Sequence, residues 1–288
     1  MKSDRIRGEK NLKKEYESYI FDLYGTLVDI RTDEESDKFW KNIAGIYASL
    51  GAVYKPSHLH ERYLDLVHKK ESEMSEKFHT DYPEIDLGEV FDELFDTPDD
   101  ETATKGNFAV LTSSHIYKNI RDFSDRERAA AVEVVAENFR VLSRKKLKLY
   151  KDTLPVLNFL RKSGKKIYLL SNAQSLFTRP EIALCGLTPY FDEIFISSEQ
   201  GFKKPAPEFM ERLIETCDID RDEAVMIGND MEPDMGVAAS CGIDGMFVNT
   251  FDWSHEETKM HMKNMQENTN TDYVPARILM NGKLRGIL

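Results

Sequence analysis

The sequence predicts an α/β protein built on a doubly wound parallel sheet, with one all-helical insertion after the first strand. Three observations carry that prediction. From residue 150 onward, short apolar runs alternate with helix-period segments across short connections. A lone β-favouring run, Tyr19-Ile20-Phe21, stands far upstream and breaks at Gly25. Between the two, residues 33–149 repeat apolar residues at spacings of three and four and hold no clear alternating strand pattern.

Taken in order, the run 19–27 reads as a strand ending in a tight turn. Helix spacing follows in Phe39, Ile43, Ile46, Tyr47 and Leu50, and again in Ala131, Val134, Val135, Phe139 and Leu142. The basic run from Arg144 to Lys148 reads as a solvated helix face. Helix 153–163 closes on Gly164, strand 167–170 follows, and helix 174–185 has Gly186 as a cap. Strand 191–196, helix 207–216, strand 224–227, helix 233–241 and strand 245–248 complete the alternation. The stretch 251–271 is polar without a decisive period, Tyr273-Val274 could add a last strand, and Asn281-Gly282 carries a hairpin signal. The expected organisation is a discontinuous α/β core at 16–32 and 150–288, a helical domain at 33–149 and a charged N-terminal extension at 1–15.

Composition narrows the function classes. With 41% hydrophobic and 31% charged residues, the chain reads as a globular protein with a strongly solvated surface. A formal net charge of −12 without a basic stripe excludes a nucleic-acid partner. No run approaches the roughly 18 apolar residues that span a bilayer, and the charged N-terminus carries no apolar leader, so a cytoplasmic protein with no membrane partner is expected. Cys185, Cys217 and Cys241 are odd in number and lack metal-site spacing, so they read as buried apolar residues.

Ligands of open α/β sheets bind beyond the carboxyl ends of the strands. Asp22, the pair Ser171-Asn172, the run Lys203-Lys204-Pro205, and Asn229-Asp230 with Asp234 occupy those positions. Each alone also fits a turn, a surface loop or a helix-dipole partner. Together they form a set for phosphoryl transfer. A carboxylate attacks phosphorus, a hard divalent cation screens the repulsion between anions, and lysine, hydroxyl and amide donors hold the phosphate oxygens.

The segment Phe21-Asp22-Leu23-Tyr24-Gly25-Thr26-Leu27 resembles the first sequence motif of the haloacid dehalogenase superfamily. Leu170-Ser171-Asn172, Lys204-Pro205 and Gly228-Asn229-Asp230-Met231-Glu232-Pro233-Asp234 resemble the second, third and fourth, in the family's order. The resemblance implies a Rossmann-like core and makes 33–149 an inserted cap domain. It implies that Asp22 is the nucleophile and that Ser171, with Thr26 or Asn172, contacts the phosphoryl group. Lys204, which directly precedes the proline, then stabilises charge, and Lys203 is a surface residue. Magnesium would be held by Asp22, the Tyr24 carbonyl and Asp230, with Asp234 behind it; Asn229 and Asp230 can exchange places in that alignment. The expected substrate is a small phosphorylated molecule, a nucleotide or sugar phosphate being candidates.

One position departs from the phosphatases of that superfamily. Where they carry a second Asp as acid–base, this chain has Tyr24, whose phenol ordinarily titrates near pH ~10. Either the leaving group is good or another group serves, for which His58, His60, His68, His79 and His115 are candidates. The Asp-x-Tyr-Gly-Thr form also resembles metal-free 2-haloacid dehalogenases, for which Arg31 or Arg62 would have to receive halide. A third reading is a catalytically weak binding or regulatory module. Phe39, Trp40, Tyr47 and Tyr63 read as helix-core residues or, alternatively, as the lining of a base pocket.

Overall fold

A computed structural model describes residues 14–99 and 123–288, so most of the N-terminal extension lies outside the described residues. Six parallel strands form the central sheet: β1 (Ser18–Phe21), β4 (Lys166–Ser171), β5 (Glu193–Ile196), β6 (Ala224–Gly228), β7 (Asp244–Val248) and β8 (Arg277–Leu279). Their order is β5-β4-β1-β6-β7-β8. From β1 the chain winds first toward β5 and then, from β6, toward β8, so the winding reverses beside β1. That reversal places the carboxyl ends of β1, β4 and β6 side by side, where loops diverge and leave a crevice.

Period-two alternation sends successive side chains to opposite faces. Ile20, Leu170, Met226 and Phe247 join one buried cluster with α7 (Pro207–Cys217), α8 (Gly236–Cys241) and Met265 of α9 (His255–Thr269). Phe21, Leu169, Ile227 and Val248 join the other, covered by α5 (Thr153–Lys162) and α6 (Ser175–Leu184). Each fully buried side chain of this size contributes about 1.5–3 kcal/mol, which is why these strands read as unbroken apolar runs.

The described part of the insertion holds α1 (Asp37–Ser49), α2 (Pro56–Phe78), α3 (Leu87–Glu93) and α4 (Asp125–Ser143). Their apolar faces meet in a third cluster around Tyr47, Phe91 and Phe139. Trp40 and Phe39 pack there too, 4% and 3% exposed, with the Phe39 and Phe139 rings edge to face at 4.8 Å. These rings fill the helical core rather than a ligand pocket.

Four elements differ from the expectation. The basic run is not a helix face: β3 (Arg144–Leu149) pairs antiparallel with β2 (Val28–Thr32), and the two strands lead into and out of the insertion. Leu147 and Leu149 alternate there with exposed lysines, and Lys146 pairs with Asp29 across the ribbon. The partner strand lies over a hundred residues away in sequence, so local pattern favoured the helix reading. The last strand is Arg277–Leu279 rather than 273–274. Asn281-Gly282 makes a turn, with Gly282 at φ +62°, but no hairpin forms, because Leu284 and Ile287 fold back into the core. Finally, 255–269 is one helix, opened by a capping box between Ser254 and Glu257.

Candidate active site

The loop that carries Asp22 is built by local hydrogen bonding. The Asp22 amide donates to Ile227 O at 2.9 Å, which fixes Asp22 against β6. Leu23 O then accepts from the amides of Leu27 and Val28, closing a tight turn in which Gly25 has φ +87°. A side chain on Gly25 would be strained at that angle and would also meet the Asn229 amide within 2.4–2.7 Å.

Lys204 organises the centre. Its Nζ donates to Asp22 Oδ1 at 2.8 Å, Asp234 Oδ1 at 2.7 Å and Leu170 O at 2.8 Å, so all three ammonium hydrogens are used. The residue is 3% exposed. Burial alone would lower its pKa, but the two carboxylates outweigh burial and hold the ammonium above the ordinary lysine range. Asn172 clips the main chain of Lys204 at both ends: its Oδ1 accepts from Lys204 N at 2.7 Å and its Nδ2 donates to Lys204 O at 2.9 Å. One Nδ2 hydrogen remains for a ligand. Lys203 lies at the surface, 3.6 Å from Glu71.

The fourth motif supplies acids in two settings. Asp234 Oδ2 accepts from the Asp230 amide at 2.9 Å, so both of its oxygens are engaged; burial pushes its pKa up, against the pull of Lys204. Gly228 leaves the room for this: a Cβ there would lie 2.0 Å from Asp234 Oδ2. Among the described residues, the Asp230 carboxylate accepts from the Glu232 amide at 3.3 Å, and burial raises its pKa as well. Thr26, 1% exposed, shares its hydroxyl between Asp22 Oδ2 at 3.2 Å and Asn229 Oδ1 at 3.0 Å. The Ser171 hydroxyl is fully buried and has no hydrogen-bond partner among the described residues.

Asp22, Tyr24 and Asp230 line one small cavity of about 170 Å³ together with Asn172, Lys204 and Asn229. Two carboxylates and a main-chain carbonyl are hard oxygen donors of the kind a divalent cation takes. Among the described residues, no three His, Cys, Asp or Glu side chains form a closed metal cluster. A cation here would depend on the carbonyl and on ligand or water oxygens beside Asp22 and Asp230.

The Tyr24 side chain is committed elsewhere. Its hydroxyl donates to Glu181 Oε2 at 2.5 Å and lies 3.2 Å from Thr178 Oγ1. Burial and Glu181 together push the phenol well above its ordinary range. Glu181, 3% exposed, also accepts from Arg140 Nε at 2.8 Å and from Arg144 at 3.0 Å. Burial would raise this carboxyl, yet Arg140, Tyr24 and Arg144 hold it below the usual carboxylate range. Sequence reasoning missed this group. Its members are separated by up to 157 positions, and the only local hint is an acid among apolar residues on α6.

Among the described residues, no histidine of the insertion lines the cavity. His58 is bound to Asp99 at 3.1 Å, His60 stacks on Trp40, and His68 and His79 are exposed; His115 lies outside the described residues. Arg31 and Arg62 are exposed on β2 and α2 and do not line the cavity either.

Residues 16–242 match the family of haloacid dehalogenase-like hydrolases. The chain belongs to that family. Among the curated relatives of this haloacid dehalogenase-like hydrolase, ribulose-1,5-bisphosphate 5-phosphatase of Halopiger xanaduensis is 30% identical over 38% of this chain and 45% of its own length. Glyceraldehyde 3-phosphate phosphatase of Methanothermobacter thermautotrophicus is 26% identical over 36% of this chain and 46% of the relative. The chain thus spans less than half the length of these relatives. The crystal structure of 2-haloacid dehalogenase from Pseudomonas syringae pv. Tomato shares the fold at a TM-score of 0.58, with 15% identity over 94% of this chain and 97% of that one. No described helix is long and apolar enough to cross a membrane.

Proposed function

We propose that this hydrolase cleaves small phosphate monoesters through an aspartyl-phosphate formed on Asp22, with magnesium as its cofactor. The observation that carries the reading is the convergence of Asp22, Tyr24 and Asp230 on one small cavity beside Lys204, whose ammonium is bound to Asp22. Asp22, Asp230 and the Tyr24 carbonyl would hold the cation, and Asp234 supports them through Lys204 and the Asp230 amide. When bound, the cation neutralises charge on the phosphate and on the attacking carboxylate.

Asp22 attacks phosphorus, the bond from phosphorus to the ester oxygen breaks, and the leaving group departs with that electron pair. Lys204 and Thr26 hold the Asp22 carboxylate in place for that attack. The remaining Asn172 hydrogen is a donor for a phosphoryl oxygen; the Ser171 hydroxyl, buried and outside the residues that line the cavity, would donate to one only once a bound ligand uncovers it. Water then hydrolyses the acyl-phosphate and restores Asp22. The Tyr24 phenol stays protonated on Glu181 at neutral pH and accepts no proton in either step. The helices of 33–149 act as the cap in this reading, joined to the core by Glu181 with Arg140 and by Gln174, whose Nε2 donates to Ile85 O at 2.9 Å. The absence of Arg31 and Arg62 from the cavity weighs against carbon–halogen cleavage.

Phosphate release from p-nitrophenyl phosphate and a panel of phosphorylated metabolites tests this, with and without magnesium and beside 2-chloropropionate. The expected result is magnesium-dependent phosphate release that vanishes in Asp22→Asn. Halide release without metal, and no phosphate release, would overturn it.

A further inference from the structure

Residues of the segment 251–269 form a wall of a second cavity, of about 680 Å³, which adjoins the Asp22 cavity. That volume lies within the usual range for small-molecule sites. The two cavities share Asn172, Lys204, Asp230, Pro233 and Phe251, so a group leaving the Asp22 cavity on this side enters the larger one.

Three rings form a ladder along its wall. Phe251 lies 5.1 Å from Trp253 at an interplanar angle of 22°, and Trp253 lies 3.9 Å from His261 at 11°. The ladder is held in place by polar contacts. Asn249 Nδ2 donates to Trp253 O at 2.8 Å, the Trp253 amide donates to Asn249 Oδ1 at 3.0 Å, and His261 Nδ1 lies 3.3 Å from Glu232 Oε1. Thr250 Oγ1 donates to Gly25 O at 2.7 Å, which ties the same loop to the turn after Asp22. Phe251 is the open end: it lines both cavities and is 53% exposed. A large apolar ring, prepositioned and left in water, gains most from another flat ring.

We propose that this cavity is the leaving-group subsite and that it takes a planar aromatic ring, an aryl or nucleobase group, stacked on Phe251. The proposal rests on the phosphatase reading for the phosphate but not for the ring.

Binding of ring compounds without phosphate separates the two. In a full-length Trp40→Phe background, Trp253 is the remaining tryptophan of the two in the chain, and its fluorescence reports the ladder. Adenosine, phenol and glycerol are titrated as probes. Saturable quenching by adenosine or phenol, absent with glycerol, is expected, and the stronger of the two responses tells a nucleobase from a simple aryl group. Phe251→Ala should weaken that binding by about tenfold, and Phe251→Tyr should restore it. In turnover, Phe251→Ala should lower the ratio of kcat/KM for p-nitrophenyl phosphate to that for glycerol phosphate by about tenfold. No saturable quenching by either ring compound, an equal response to glycerol, or affinity unchanged in a Phe251→Ala protein with native circular dichroism would overturn the subsite. If no ester releases phosphate while ring binding remains and depends on Phe251, the phosphatase reading falls and the ring subsite stands.

Discussion

The Tyr24 hydroxyl donates to Oε2 of Glu181 at 2.5 Å, so the side chain standing two residues after Asp22 is bound into the junction between core and insertion. Glu181 sits on α6 of the core, while Arg140 and Arg144 come from α4 and the start of β3. Removing the carboxylate leaves two guanidinium groups, 14% and 23% exposed, without their partner. Glu181→Ala should therefore cost about 3–5 kcal/mol in urea unfolding. A cost below about 1 kcal/mol would mean the cluster behaves as an ordinary surface pair.

The same carboxylate sets a pH dependence. Its folded pKa is held below the ordinary value of 4.5, so its contribution is complete above that value and fades as pH falls through the folded pKa. The urea midpoint should drop on acidification below about pH 4.5, and Glu181→Gln should show a shallower drop over the same window. Parallel curves for the two proteins would show that other carboxylates govern acid unfolding.

Ser171 tests the site with two effects of opposite sign. Its buried hydroxyl has no partner among the described residues, an arrangement that costs stability in the free protein. Ser171→Ala should raise stability by up to about 1 kcal/mol while lowering kcat/KM for phosphate esters by about tenfold or more. Chemical denaturation and steady-state kinetics on one preparation suffice; a loss of both would point to a purely structural hydroxyl.

Lys204 joins two carboxylates, so stability and catalysis can be separated there. Lys204→Met should unfold more readily by about 3–5 kcal/mol, because Asp22 and Asp234 are left unneutralised. Adding Asp234→Asn should recover part of that loss without recovering phosphate release, which should stay about 100-fold or more below wild type. Recovery of turnover in the double variant would remove Lys204 from the chemistry.

Gly228→Ala probes the close approach behind the acids. The new methyl would meet Asp234 Oδ2 at 2.0 Å, which pushes that carboxylate off Lys204 and off the Asp230 amide. A stability loss of about 1–3 kcal/mol is expected, with weaker magnesium dependence of turnover. Unchanged thermal unfolding would show that the loop yields without cost.

The sequence by itself determined the sheet, the insertion and the cluster of motif residues. Unbroken apolar runs at 167–170, 224–227 and 245–248 belong in a sheet covered on both faces, and polar residues just past strand ends converge wherever such a sheet reverses its winding. That much is local pattern plus one rule of topology. The capping box Ser254 to Glu257 was equally local, but with only Thr258 and Met265 buried along the helix its apolar period was too sparse to read. Tertiary structure alone decided the rest. The pairing of Arg144–Leu149 with Val28–Thr32 needs a partner over a hundred residues away. The burial of Glu181 against Tyr24, Arg140 and Arg144 joins three segments, as does the stack of Phe251, Trp253 and His261, tied through Thr250 to the turn after Asp22. Charges and rings carry no periodicity of their own, so their roles follow from which surfaces the folded chain brings within hydrogen-bond or stacking distance.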